Sequence, residues 1–305
     1  MNDIVSFSEY ILSKSYKKKC IIKLWKNQYP KGEILLKKGI SYWSFRNKSY
    51  EEAFAFAKEQ GFDGVEVTLD AGGELTPETS DEGVLKIKAL AEKYGLELYS
   101  VATGLYWQYS FASNDEEIRK KAKQILHRQL DVAKMLGCDS ILVVPASVDE
   151  NTPYDVVYDR ALDAMRDGAK YAEECGVNIG VENVWNKFLL SPLEYRDFID
   201  KVGSPYVKAY FDVGNVVYDG WPEQWIDILG SRICKIHIKD YVRDDRTLAG
   251  FCDITKGDVN FEKVISALDR AGYDSFCTAE VFPADHEGDF EAAEKAAVAY
   301  KTIFA

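Results

Sequence analysis

The chain has 305 residues, 47% of them hydrophobic, which is enough to bury one large core and makes a single α/β barrel an ordinary solution at this size. A formal net charge of −12 and a pI near 4.9 leave no electrostatic footprint for nucleic acid or an anionic membrane surface, so neither is expected as a partner. No apolar run approaches the ~18 residues of a membrane span, and six cysteines (20, 138, 175, 234, 252 and 277) without a CxxC pair read as reduced core thiols of a cytoplasmic protein.

Residues 1–37 stand apart from the rest. They carry eight Lys against three acids, net +5, whereas the remaining 268 residues carry 30 basic against 47 acidic, net −17. The order of basic and apolar pieces is wrong for a signal peptide, so the segment reads as an N-terminal extension to a barrel domain at 38–305.

Within that domain a strand followed by a helix recurs eight times. Strands are expected at Gly39–Trp43, Gly64–Thr68, Glu97–Ala102, Ser140–Pro145, Asn178–Glu182, Val207–Asp212, Ile233–Ile238 and Phe276–Val281, because these are short β-branched and aromatic runs. Helices are expected near 50–60, 81–94, 115–137, 154–175, 192–202, 222–229, 260–271 and 288–303. Ser49 offers an N-cap with acids in the first turn, Pro192 and Pro222 suit a first helical position, and glycines at 61, 95, 137, 176, 203, 230 and 272 close seven of the eight helices. Such a repeat predicts a (β/α)8 TIM barrel, and the absence of GxGxxG after the first strand, which runs into Tyr42–Arg46, argues against a doubly wound sheet.

The chemistry concentrates at the ends of strands five to eight. The stretch Val207–Arg243 puts Asp212 and His237 at the ends of two apolar runs, and NIGVEN and SFCTAEV add Glu182 and Glu280. Taken singly, each acid reads equally as a helix cap or solvated group, and His237 as a core histidine. Taken together they face one barrel mouth, and an oxygen-rich set with one His suits Mn²⁺, Mg²⁺ or Co²⁺ better than a structural zinc. A divalent ion holding adjacent oxygens of a hydroxy-ketone acidifies the carbon-bound proton between them. Two carboxylates on opposite sides then move that proton, with no organic cofactor.

At these residues the sequence resembles the sugar phosphate isomerase/epimerase group of the xylose-isomerase-like barrel superfamily. The motifs are GVEN (Gly180–Asn183), YFDVGN (Tyr210–Asn215), KIHIKD (Lys235–Asp240) and TAEV (Thr278–Val281), and the match runs from about Lys38 to the C-terminus. The resemblance implies that Glu182, Asp212, His237 and Glu280 bind one divalent metal, Mn²⁺ by preference with Mg²⁺, Co²⁺ or Zn²⁺ as alternatives. It implies that Glu182 and Glu280 form the acid/base pair, and that Lys239 and Arg243 bind substrate. Free-ketohexose 3-epimerases usually have His where this chain has Asn215, and a further Glu where it reads Trp185–Leu190. The DxGN form is similar to the pentulose and hexulose phosphate branch, which includes L-xylulose-5-phosphate 3-epimerase and hexulose-phosphate isomerase, and this shifts the expected substrate from a free sugar toward a sugar phosphate.

Weaker candidates surround this set. Glu66 reads as a contact to substrate hydroxyls or a support behind the ligands, and Tyr106, Trp107 and Trp43 as pocket walls. Asn215 joins the substrate-binding set, and Lys187 is a second cation placed for a phosphate. Asp240 is expected to orient His237 or Lys239; His127 and His286 read as surface or packing residues. Rival functions are inosose dehydration on the same metal site, a non-catalytic sugar-binding barrel, and an endonuclease IV-type repair enzyme, which three His and net −12 disfavour. A homo-oligomer is expected.

Overall fold

Runs such as GVEVT and ICKIHI are buried along their whole length, which a strand satisfies only when both its faces are covered. The computed structural model describes residues 36–46, 48–282, 288 and 290–304; almost all of the expected N-terminal extension, with Cys20 and His286, lies outside them. The strands are β1 (Lys37–Ser41), β2 (Gly64–Thr68), β3 (Glu97–Ala102), β4 (Ser140–Val143), β5 (Asn178–Glu182), β6 (Val207–Asp212), β7 (Ile233–Ile238), β8 (Asp240–Tyr241), β9 (Phe251–Cys252) and β10 (Phe276–Ala279). Eight of them pair in parallel and close on themselves in the order β1-β10-β7-β6-β5-β4-β3-β2, while β8 and β9 form a small antiparallel ribbon. This is the expected TIM barrel.

The crossover helices are α1 (Tyr50–Gln60), α2 (Asp81–Tyr94), α3 (Glu116–Leu136), α4 (Tyr154–Cys175), α5 (Pro192–Val202), α6 (Pro222–Leu229), α7 (Phe261–Ala271) and α8 (Glu291–Ile303). Their starts are chemically marked. Ser49 and Glu52 complete a reciprocal capping box, and Ser80, Asp115, Ser191 and Asn260 each accept an N–H of the first turn. Six of the seven expected glycines end their helices in the left-handed conformation; Gly230 has φ 53° and ψ −133° and leads into a 3-10 turn.

Strand ends depart from expectation by up to two residues. The first strand begins at Lys37 and stops at Ser41, because Tyr42–Phe45 wind into a 3-10 turn that carries Trp43. The fourth stops at Val143, ahead of a proline that has no N–H to give a ladder. The eighth stops at Ala279, so Glu280 stands just past it with its N–H on the Ile238 carbonyl at 3.2 Å. The described cysteines 138, 175, 234, 252 and 277 are free thiols, and no helix among the described residues is long and apolar enough to cross a membrane.

The barrel interior is filled to contact. Tyr99 stacks on Phe276 with centroids 3.7 Å apart, and its hydroxyl lies 2.9 Å from Thr278 Oγ1. A Cβ on Gly39 would stand 2.1 Å from the Tyr99 hydroxyl, which is pinned and cannot retreat. We expect Gly39→Ala to cost about 1–3 kcal/mol through overpacking, read as a lower melting temperature in scanning calorimetry.

Candidate active site

Four adjacent strands deliver the floor of the site. Asp212 ends β6 and pairs in register with His237, the last residue but one of β7; Glu182 ends β5, and Glu280 follows β10. One ligand-type atom from each lies within 4.8 Å of the others, and all four residues are buried. Three carboxylates converge on one imidazole nitrogen: His237 Nδ1 is 2.7 Å from Glu280 Oε2, 3.3 Å from Glu182 Oε1 and 3.8 Å from Asp212 Oδ2.

The other face of the imidazole is held from behind. His237 Nε2 lies 3.0 Å from Oε1 of Glu66, whose other oxygen accepts the Tyr210 hydroxyl. A carboxylate that accepts a hydrogen bond from Nε2–H turns Nδ1 toward the floor, where it would serve a metal as ligand once its own proton is displaced. Glu66 is fully buried, so of its two expected roles the structure places it behind the ligand set rather than in the cavity.

Lys239 completes the floor with Nζ 3.0 Å from Asp212 Oδ2 and 2.7 Å from Glu280 Oε2. Those two oxygens are buried and, despite these short ion-pair distances, receive no hydrogen bond of acceptable angle. Burial lifts the Glu182 carboxyl to about 7. Burial acts the same way on Glu280, but Lys239 and His237 outweigh it and hold that carboxyl at about 2. Asp212 is raised by burial, and His237 is held well above its ordinary value because Glu66 and Glu280 outweigh burial. The donor chemistry, three carboxylates and a histidine nitrogen already turned toward them, fits a divalent cation that displaces protons.

Above the floor lies a cavity of about 770 Å³ lined by Trp43, Thr103, Gly104, Trp107, Leu142, Val144, Val184, Trp185, Asn215, Leu248, Phe251 and Phe282 besides Glu182, Lys239 and Glu280. Trp107 is in the wall, as expected. Asn215 is also there, but its amide donates to the Asn183 carbonyl at 2.9 Å and its N–H to Asp212 Oδ1 at 3.0 Å, so it ties two site turns together.

Residues 54–302 match the family described as xylose isomerase-like TIM barrel. The chain belongs to that family. Fructoselysine 3-epimerase of Escherichia coli O157:H7 is 23% identical over 254 residues, 81% of this chain and 90% of that one. L-ribulose-5-phosphate 3-epimerase of Salmonella typhimurium is 22% identical over 229 residues, covering 73% and 78%. Among solved structures, D-psicose 3-epimerase with D-tagatose from Clostridium cellulolyticum H10 superimposes with a TM-score of 0.73 at 21% identity, covering 88% of this chain and 98% of that one.

Four expected site residues of this xylose isomerase-like barrel lie elsewhere. Tyr106 is buried with its hydroxyl on Gln129 Oε1 at 2.7 Å, so the loop after β3 sends it into the core and its neighbour Trp107 outward. Arg243 donates to the Gly220 carbonyl at 2.9 Å and lies over the Trp221 ring. Lys187 is exposed in an adjoining hollow with Arg246. The Asp240 carboxylate is directed to backbone rather than to the His237 or Lys239 side chain: it accepts the N–H groups of Tyr241, Gly257 and Val259 at 2.8–3.0 Å, pinning the chain after β9. His127 stacks on Tyr171 at the outer helices, a packing role.

Several wall residues escaped the sequence reading. Trp185 and Phe282 sit in loops, Leu248 in a 3-10 turn and Phe251 in β9, while Asn183, inside the GVEN motif, exchanges two hydrogen bonds with the Asp212 backbone at 2.8 and 2.9 Å. Only Asn183 had a signal, its place next to Glu182. Because Asp240 holds three amides at once, Asp240→Ala is expected to lower stability by about 1–3 kcal/mol, measured as a drop in the denaturation midpoint with the β-sheet circular dichroism retained.

Proposed function

We propose that this chain is a sugar epimerase or aldose–ketose isomerase that moves a proton at the carbon beside a ketose carbonyl. Glu182 and Glu280 serve as the acid–base pair, and Glu182, Asp212, His237 and Glu280 hold one divalent cation, manganese by preference; a cytoplasmic setting suits its free thiols. The chain is an isomerase-class enzyme, and its relatives are named as 3-epimerases of sugars or sugar phosphates.

The observation that carries the reading is the convergence of four ligand atoms around two buried oxygens with no well-angled donor. Lys239 pairs with both oxygens by charge but without good hydrogen-bond angles, and a cation shared by the four groups would supply the ligation that this geometry lacks. When bound, such an ion supplies Lewis-acid polarisation of substrate oxygens. Everything else falls to side chains. Glu182 and Glu280 flank β6 and β7 from either side, so they reach a substrate lying over His237 and Asp212 from two directions. One carboxylate takes the carbon-bound proton and the other carboxyl delivers one to the opposite face, which inverts the centre. Lys239 offsets part of the negative charge between Asp212 and Glu280, while Glu66 and Tyr210 keep His237 from turning.

Three outcomes test this. Glu182→Gln and Glu280→Gln should each reduce exchange of the carbon-bound proton with D2O by about 100-fold or more, followed by proton NMR; normal exchange in both variants sinks the acid–base assignment. Manganese at about 100 times its Kd should stabilise the wild type by about 2.7 kcal/mol in thermal melts, reversed by a chelator and lost in Asp212→Asn. Glu66→Gln, which keeps the volume but weakens the acceptor for His237 Nε2, should lower manganese affinity by about 10- to 100-fold in calorimetric titration.

A further inference from the structure

The cavity above the floor bears on substrate class, an inference that rests on the proton-transfer reading. At about 770 Å³ it is in the upper part of the ~300–1,000 Å³ that ligand sites span. Its polar groups are concentrated at the floor, and nine of its fifteen lining residues are apolar or aromatic. At the mouth Trp107, Trp185, Leu248 and Phe282 are 55%, 36%, 73% and 62% exposed. Large apolar side chains gathered around one opening mark a surface that a ligand covers.

Two of the three indoles that line the cavity offer this ligand carbon rather than donors. Trp185 Nε1 donates to the Asn215 carbonyl at 2.8 Å, and its ring is wedged against Tyr241 and Phe251 at 5.4 Å from each. Trp43 Nε1 donates to Asp70 Oδ2 at 2.9 Å, and Asp70 is fixed in turn by the Gly104 N–H at 2.9 Å. Both walls are therefore rigid, with their N–H groups turned to the protein.

Among the described residues that line this cavity, none is free to take a phosphate. Among the described residues Lys239 is the one cation that lines it. Its ammonium is already engaged by Asp212 and Glu280 and lies 5.7 and 5.4 Å from the ring centroids of Phe251 and Phe282. A dianion brought to it would meet the floor carboxylates, whereas phosphate sites rely on a bidentate Arg or an available Lys. Arg243 is spent on Gly220 and Trp221, outside the cavity.

We propose that the substrate is a sugar bearing a flat apolar substituent, an aryl group or its like, in place of a phosphate, and that this substituent stacks within the aromatic mouth while the sugar carbonyl sits over the floor.

The test uses the full chain reconstituted with manganese. The D-ketohexoses, their 1- and 6-phosphates and their 1-O- and 6-O-benzyl ethers are compared for exchange in D2O by NMR and for binding by quenching of tryptophan fluorescence. A benzyl ether should react with kcat/KM about tenfold or more above its parent ketose, the scale set by burying an aromatic ring, and Trp107→Ala should erase most of that advantage through KM. A phosphate ester preferred over both parent and ether overturns the proposal and leaves the proton-transfer reading standing; parity between parents and ethers also overturns it. If no sugar exchanges, the proton-transfer reading fails, and binding alone then judges the proposal: tighter binding of the ethers upholds it, equal or weaker binding overturns it.

Discussion

The structure depends on one imidazole held in one orientation inside a crowd of buried charge. His237 is fully buried, with Glu66 against Nε2 and three carboxylates gathered about Nδ1. Removing so many ionised groups from water is tolerable only when opposite charges interleave and each keeps its geometry. Here Lys239 and His237 alternate with Glu66, Glu182, Asp212 and Glu280, and the backbone gives none of them room to drift. Tyr210, directly beside Glu182 in the register, braces Glu66 of β2 from across the barrel.

That precision follows from closure. In a parallel barrel all strands end on the same side, and the pairing of Asp212 with His237 across β6 and β7 sets their separation before any side chain chooses a rotamer. The acids of β5 and the residue after β10 then arrive from the two flanks. The interior below is packed by the Tyr99–Phe276 stack, so the strand ends are carried on a filled frame that resists the mutual repulsion of the acids. Loops carry the wall, and they do so with fixed indoles whose hydrogen bonds point away from the opening.

The repeating strand–helix pattern was readable because each βα unit announces itself locally: Ser49 or Pro192 at a start, Gly137 or Gly272 at an end, a β-branched run between. The family resemblance rested on strand-end motifs, the least negotiable positions of a barrel. What stayed hidden was direction. Tyr106 and Trp107 are adjacent, and nothing in the sequence says which of them turns inward to Gln129. Asp240 is only three residues from His237, but the chain bends into the β8–β9 ribbon, and its carboxylate serves amides up to nineteen residues away. Arg243 was expected at the substrate for its charge and position, whereas a carbonyl and an indole on the β6 side claimed it. Strand ends moved for the same reason, since 3-10 turns and prolines past a strand are settled by what packs over them.

The segment between β7 and β10 separates two tasks within one fold. It departs from the floor at Lys239, contributes Leu248 and Phe251 to the mouth, and is fastened by the single carboxylate of Asp240. Insertions, deletions or exchanges between that anchor and β9 can reshape the rim while leaving His237 and Glu280, on neighbouring strands, at the same separation. A lineage built on this barrel is thus free to explore new molecules through one loop, under little selection from the chemistry below it.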